Sequence, residues 1–198
     1  MKVIGLCGGS GSGKGAVALL LREYDIPSID ADEVYHSIVS RRSECTEELS
    51  REFGSDILNA DGSLNRERLR VLVFADESRE RLARLNAVSH RHILAAVTRM
   101  IDGYRADGEE LVLFDAPLLF ESGFDKSCDL VIAVIADEKT RISRIVERDG
   151  ISEAAARKRI SAQLSEEFLR NHSDFLIENN GTLDELKVEV DRVYKLIK

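Results

Sequence analysis

Short runs of consecutive apolar residues alternate along the chain with longer stretches in which apolar residues recur three and four positions apart. The short runs are typical of strands buried in a parallel sheet, and the longer spacing is typical of amphipathic helices. In chain order, the patterns predict strands at residues 2–7, 27–32, 110–117, 129–137 and 174–181, and helices at 14–24, through most of 33–105, from 138 to about 169, and at 182–197. This succession of strands and helices predicts an α/β domain.

The length of 198 residues fits one domain, with room for a smaller inserted lobe. A net charge of −8 argues against a nucleic-acid partner, because such binding needs many Lys and Arg side chains on phosphates. No apolar run approaches the roughly 20 residues of a membrane helix, and the apolar stretch of a secretory signal is missing before the first glycines. We therefore expect a cytoplasmic protein without a membrane partner, and no obligate protein partner is evident.

The glycine cluster after the first predicted strand carries the decisive motif. Gly8, Gly13 and Lys14 match the pattern G-x-x-x-x-G-K, with a strand before it and a helix after it. Glycines allow turns that bring backbone N–H groups within reach of phosphate oxygens, and the lysine and the helix N-terminus add positive charge. The motif predicts an ATP-binding loop, and the alternative is an ordinary glycine-rich turn. The predicted nucleotide-binding residues here are Gly9, Ser10, Gly11, Ser12, Gly13, Lys14, Gly15 and Ala16.

One position departs from this motif. Gly15 stands where Ser or Thr normally offers a hydroxyl to Mg²⁺, and Ala16 cannot replace it. Asp115 ends the apolar run "LVLFD", where a carboxylate can reach Mg²⁺ directly or through water. We therefore expect Mg²⁺ with ATP as co-substrate, Asp115 as the metal residue, and a water in place of the missing hydroxyl.

Two aspartates, Asp30 and Asp32, stand two residues apart at the end of the second predicted strand, so on an extended chain they would share one face. One of them could take the proton from an attacking hydroxyl, since a carboxylate facing the phosphate loop is the usual base in phosphoryl transfer. The alternative for each is to cap the next helix, and both uses can coexist.

Three arginines, Arg141, Arg144 and Arg148, lie three and four apart on a predicted helix and therefore share one helical face. Such a row could close over ATP, offset charge on the transferred group and exclude water. The alternative is a solvated face paired with Asp and Glu, and spacing alone favours it.

Further stretches of the sequence are more specific than the loop. They are "SIDAD", "NADGSLNRERLRVLVF", "LNAVSH", "DAPLLFESG", "RISRIVERDGIS" and "IENNG". Together with "GLCGGSGSGK", they make the chain resemble the dephospho-coenzyme A kinase family along nearly its whole length, in the family's order and approximate spacing. The resemblance implies ATP-dependent phosphorylation of the ribose 3′-hydroxyl of dephospho-coenzyme A, the final step of coenzyme A synthesis.

The resemblance also implies a fold and a set of site residues. The fold is a three-layer P-loop nucleotide-kinase type, with a five-stranded parallel core (1–32, 106–138 and 163–198), a helical acceptor-binding lobe (33–105) and a lid (139–162). The residues implied are Asp32 as base, Lys14 as the loop lysine, Arg144 as a lid arginine, Asn179 on the nucleotide side, and Asp32, Arg66 and His90 on the acceptor side.

Three other functions stay open on the sequence alone. Another P-loop small-molecule or nucleotide kinase would share the loop and lid arginines and differ in the acceptor lobe. A GTP-driven switch protein should show N-K-x-D and D-x-x-G segments, whereas "DAPLLFE" stands in the second place. A catalytically inactive binding protein is suggested only by Gly15, and Lys14, Asp32 and the arginine row argue against it.

Overall fold

The computed structural model describes residues 1–75 and 79–198, which divide into two compact units. The first unit joins Met1–Ser28 to Tyr104–Lys198, and the second is Ile29–Gly103. The strands are β1 (Lys2–Gly8), β2 (Ser28–Asp30), β3 (Leu111–Asp115), β4 (Leu130–Ile135) and β5 (Phe175–Glu178). The helices are α1 (Lys14–Arg22), α2 (Ala31–Val39), α3 (Glu44–Phe53), α4 (Arg66–Phe74), α5 (Glu80–Ala106), α6 (Glu138–Asp149), α7 (Glu153–Ser161), α8 (Glu166–His172) and α9 (Leu183–Ile197), with 3-10 turns at Ser55–Ile57 and Phe124–Ser127.

The strands form one five-stranded sheet in the order β2-β3-β1-β4-β5. The β1–β3, β1–β4 and β4–β5 pairs are parallel, which confirms the predicted fold class. The register places Leu6 opposite Asp115 on one side and opposite Ile132 on the other. Asp115 therefore lies level with the end of β1, at the edge of the sheet where the glycine loop begins. Open α/β sheets bind their ligands at this edge.

The core of the first unit forms because its central strands are apolar throughout. Ile4 and Ile132 are fully buried, and Ile177 on β5 joins the same cluster. Leu21 on α1 and Val190 on α9 pack against these strands. Burying a side chain of this size contributes about 1.5–3 kcal/mol each, so the sheet gives the loop a rigid base.

The second strand is shorter than predicted, because the next helix begins earlier. The Asp30 carboxylate accepts hydrogen bonds from the backbone N–H groups of Asp32 (2.8 Å) and Glu33 (3.1 Å), so Asp30 caps α2. The capping alternative is therefore confirmed for Asp30. The expectation that Asp30 and Asp32 share a face of an extended chain is wrong, because Asp32 already lies in the first turn of the helix.

The long helical stretch predicted after β4 consists of three helices, α6, α7 and α8. Gly150, with φ 65°, ends α6 in the left-handed region that favours glycine. Ser152 and Ser165 then cap α7 and α8 with their side-chain oxygens. Ile145 and Ala156, both fully buried, pack α6 against α7.

The second unit is helical, as the spacing of apolar residues predicts. Its helices α2 to α5 enclose a separate apolar cluster that includes Val39, Leu49, Ile57, Leu69 and Val73. Within the part of the chain that the structure describes, no helix combines the length and apolarity needed to cross a membrane.

Candidate active site

The loop between β1 and α1 can adopt its conformation only with glycine at two positions. Gly11 and Gly13 have φ values of 80° and 91°, which other residues rarely adopt. A Cβ atom on Gly13 would collide with the side-chain amide of Asn179, and one on Gly11 would collide with the carbonyl oxygen of Arg141. Both backbone conformation and close packing therefore require these glycines.

A cavity of about 650 Å³ opens over this loop within the first unit. Its walls are formed by Gly8, Gly9, Ser10, Gly11, Gly13, Lys14, Gly15, Pro117, Arg144, Glu147, Arg148 and Gln163. Three of these side chains are cations, namely those of Lys14, Arg144 and Arg148, and helix α1 begins at the same cavity. The cavity therefore suits a ligand that carries several negative charges.

Lys14 and Asp115, which the sequence places far apart, form an ion pair beside the loop. The Lys14 Nζ donates a hydrogen bond to Asp115 Oδ1. The two side chains are only 17% and 6% exposed, so the pair is largely shielded from water. A phosphate group that binds Lys14 would have to share the ammonium with this carboxylate or take it over.

Two of the three arginines on α6 contact the loop and are not on a solvated face. Arg144 donates from Nη1 to the carbonyl oxygens of Gly11 (3.3 Å) and Asn179 (3.0 Å). Arg141 donates from Nε to the Ser10 carbonyl oxygen (2.9 Å). The solvated-face interpretation is therefore wrong for Arg141 and Arg144. It describes Arg148 better, since that side chain is exposed and pairs with Asp149.

Asn179, which directly follows β5, is hydrogen-bonded to the loop. It is 6% exposed, and its Nδ2 donates to the carbonyl oxygen of Ser12 at 2.8 Å. Its Oδ1 accepts from Arg144 Nη2 at 3.3 Å. The residue thus holds both the loop and the arginine, and its predicted contact with nucleotide stays a prediction.

Gln163 also belongs to the site, although no pattern in the sequence predicts it. Its Oε1 accepts hydrogen bonds from the Ser10 N–H (2.9 Å) and from Arg141 Nη2 (3.0 Å). A single glutamine within the helical stretch predicted from 138 to about 169 matches no motif, so only the three-dimensional structure reveals this contact.

The predicted acceptor-side residues lie in the second unit. Asp32 is exposed in the first turn of α2, and Arg66 is exposed at the start of α4. His90 is partly buried on α5, and this burial lowers the pKa of its ring, which is therefore neutral at pH 7. A neutral ring can donate one hydrogen bond and accept another.

The residues around the loop fit a magnesium ion only in part. Asp115 offers a buried carboxylate at the end of β3, but Gly15 offers no side-chain oxygen. Apart from its chain neighbours and the backbone of its own helix, a Cβ atom at Gly15 would meet no atom within 4 Å, so space remains beside the loop for water or a hydroxyl. Among residues 1–75 and 79–198, no cluster of three or more His, Cys, Asp or Glu side chains could hold a metal ion by itself.

Comparison with known proteins finds relatives along nearly the whole chain. The family model for dephospho-CoA kinase matches residues 2–185. A dephospho-CoA kinase of Symbiobacterium thermophilum is 37% identical over 195 residues, covering 98% of this chain and 81% of the relative. A dephospho-CoA kinase of Corynebacterium glutamicum is 38% identical over 190 residues, covering 96% and 94%.

Solved structures show the same fold. A crystal structure from Thermus thermophilus superposes with a TM-score of 0.81 and 31% identity, covering 100% of this chain and 98% of the other. Dephospho-CoA kinase from Campylobacter jejuni superposes with a TM-score of 0.73 at 22% identity, covering 98% and 96%. A shikimate kinase from Acinetobacter baumannii, with a TM-score of 0.52 and 17% identity over 100% and 93%, shares the fold alone.

Proposed function

Because the chain belongs to the dephospho-CoA kinase family, and so phosphorylates dephospho-CoA with ATP, we propose that residues 8–16 bind the ATP phosphates and that the acceptor is the ribose 3′-hydroxyl. The observation that carries the site assignment is the cationic cavity over the glycine loop, where Lys14 and Arg144 converge. We also propose that the chain divides into a core (1–32, 106–138, 163–198), an acceptor lobe (33–105) and a lid (139–162). The same proposal includes a cytoplasmic location and no nucleic-acid, membrane or obligate protein partner.

Positioned charge on this loop accounts for the proposed catalysis. Phosphoryl transfer involves little covalent chemistry by the protein, so its barrier falls mainly through positioning and offset of charge on the transferred group. Lys14 supplies an ammonium that pairs with Asp115, and Arg144 supplies a guanidinium that donates to two carbonyl oxygens. The backbone N–H groups at the start of α1 complete the set of donors.

Asp32 is the residue we assign as the base. In the proposed step, the acceptor oxygen attacks the γ-phosphorus, its proton passes to the Asp32 carboxylate, and the bond from the γ-phosphorus to the β–γ bridging oxygen breaks to release ADP. Capping of α2 already occupies the Asp30 carboxylate, whereas the Asp32 carboxylate is exposed. The assignment requires the Asp32 side chain to reach the acceptor hydroxyl during the reaction.

Asp115 is the residue we assign to Mg²⁺, directly or through water. Bound Mg²⁺ would offset charge on the phosphates. The Asp115 carboxylate forms an ion pair with Lys14 and so lies beside the loop that would bind the phosphates. A single protein carboxylate is enough for Mg²⁺, which usually keeps several waters and takes phosphate oxygens as further ligands.

Gly15→Ser should lower the Mg²⁺ concentration that gives half-maximal rate by roughly three- to tenfold, with a modest change in the maximal rate. The substitution restores the missing hydroxyl, and the open space beside Gly15 accommodates it. A Mg²⁺ titration of both proteins at saturating ATP and acceptor measures the shift, with Gly15→Ala as the control that adds a Cβ without the hydroxyl. Full activity of the unmodified protein in excess chelator would refute the metal role. A folded but inactive Gly15→Ser would show that this glycine is needed for the backbone.

Arg144→Ala should lower kcat by roughly ten- to a hundredfold and weaken ATP binding much less, because its charge acts on the transition state. Steady-state kinetics with ATP varied separate the two effects. Arg157→Ala is the matched control, since Arg157 is an exposed arginine of α7 that pairs with Glu138. Unchanged kcat in Arg144→Ala would contradict the assignment, and equal losses in Arg141→Ala and Arg144→Ala would indicate general electrostatics.

A panel of acceptors tests the proposed function against another P-loop kinase. With Mg²⁺ and ATP present, we expect ADP formation to depend on dephospho-CoA and to stay at background with shikimate or a nucleoside. The acceptor lobe distinguishes these enzymes, since the loop is common to all of them. Faster turnover with another acceptor than with dephospho-CoA would overturn the assignment.

A further inference from the structure

Gln163 connects the glycine loop to helix α6 through its side-chain oxygen atom. The residue lies between α7 and α8, is partly buried, and lines the cavity over the loop. Its Oε1 accepts from the Ser10 N–H at 2.9 Å and from Arg141 Nη2 at 3.0 Å. Its Nε2 lies 3.4 Å from the Ser10 hydroxyl, a weaker contact.

Arg141 closes a ring of hydrogen bonds with the same loop residue. Its Nε donates to the Ser10 carbonyl oxygen at 2.9 Å, so Arg141 and Gln163 together bind both backbone groups of Ser10. A Cβ atom on Gly9 would collide with the Arg141 guanidinium and lie 3.1 Å from Gln163 Oε1. The two side chains therefore pack directly on the loop backbone.

Arg141 depends on these contacts for its position. Its guanidinium is partly buried, and this burial lowers its pKa although the group stays charged. A partly desolvated cation needs hydrogen-bond acceptors, and Gln163 supplies one of them from a segment outside α6. Without the Gln163 oxygen, both the guanidinium and the Ser10 N–H would lose a partner.

We propose that Gln163 is a positioning residue that fixes Ser10 and Arg141 before ATP arrives. This inference rests on the proposed function, since it assumes that the cavity over the loop takes ATP. Gln163 acts through other groups, so its loss adds an ordering cost to ATP binding and leaves the transfer step itself intact. Its kinetic signature is thus the opposite of the one expected for Arg144.

Gln163→Met tests this role, because methionine keeps the length of the side chain and removes both the oxygen and the nitrogen of its amide group. We expect ATP to bind roughly tenfold more weakly while kcat at saturating ATP stays within about threefold, as fits the loss of two hydrogen bonds. Ser161→Ala is the control, since the Ser161 hydroxyl donates to the Lys158 carbonyl oxygen within α7, and its loss should leave ATP binding unchanged.

A double-mutant cycle separates positioning from a general effect on the fold. In an Arg141→Ala background, Gln163→Met should cost less than about threefold in ATP affinity, because the guanidinium it holds is already gone. ATP binding is measured by calorimetry in the absence of acceptor, and thermal unfolding is followed alongside. If Gln163→Met does not fold, Gln163→Ala takes its place in the cycle.

The outcomes distinguish this inference from the function on which it rests. Absence of ATP binding to the unmodified protein would defeat the proposed function itself. Normal ATP binding in both the unmodified protein and Gln163→Met would overturn only the role of Gln163. Additive losses in the cycle, or a loss of kcat at unchanged ATP affinity, would overturn it as well.

Discussion

Replacement of Lys14 by alanine is expected to lower the turnover rate by at least about a hundredfold while the protein remains folded. Lys14 begins α1 and lines the cavity over the loop. In the proposed reaction the Lys14 ammonium offsets charge on the transferred phosphate. The Lys14 charge stabilises the transition state more than it stabilises bound ATP. Its removal should therefore lower kcat more than it lowers the affinity for ATP.

The ion pair with Asp115 calls for a matched control. Lys14→Ala removes the lysine that pairs with the Asp115 carboxylate, which is only 6% exposed, so the substitution lowers stability as well as activity. Lys14→Met keeps the apolar stem, and combining it with Asp115→Asn removes both charges. Turnover is followed by ADP release, and folding by thermal unfolding. A folded Lys14→Met protein with normal kcat would refute the assignment of the loop.

Asp32→Asn is expected to lower the rate by roughly a hundred- to ten-thousand-fold while ATP affinity changes little. The amide keeps the shape of the side chain but cannot accept the proton of the acceptor hydroxyl. The helix should be unaffected, because Asp30 and not Asp32 provides the cap of α2. The measurement is kcat with dephospho-CoA together with the dissociation constant of ATP.

Asp30→Asn is the natural control, because asparagine caps helices about as well as aspartate. We expect this variant to keep most of the activity and stability. If Asp30→Asn proves the more damaging substitution, the roles of the two aspartates must be exchanged. If neither variant loses activity, no carboxylate of this segment acts as the base.

The strands and the loop could be predicted from the sequence because their signals are local. Continuous apolar runs indicate buried strands, and the spacing of Gly8, Gly13 and Lys14 indicates a phosphate loop. The end of β2 was harder to place, because Asp30 serves both as the last strand residue and as the cap of α2. Because one residue has both roles, the sequence pattern alone places the end of β2 at Asp32, two residues too late.

The contacts around the loop could not be predicted, because they join residues far apart in sequence. Spacing on α6 makes Arg141, Arg144 and Arg148 equivalent, whereas the structure turns the first two toward loop carbonyl oxygens. Gln163 lacks any motif, and its oxygen matters only because folding places it between Ser10 and Arg141. Tertiary hydrogen bonds of this kind depend on the whole sheet and its helices.

Transfer of phosphate to one defined hydroxyl can be measured by incubating the protein with Mg²⁺, dephospho-CoA and ATP labelled in its γ-phosphate. The product is then analysed by mass spectrometry and phosphorus NMR, which locate the label. We expect one labelled phosphoryl group on the ribose 3′-hydroxyl and one ADP for each product molecule. Label released only as free phosphate, label on a different hydroxyl, or unchanged dephospho-CoA with a folded, ATP-binding protein would contradict this assignment.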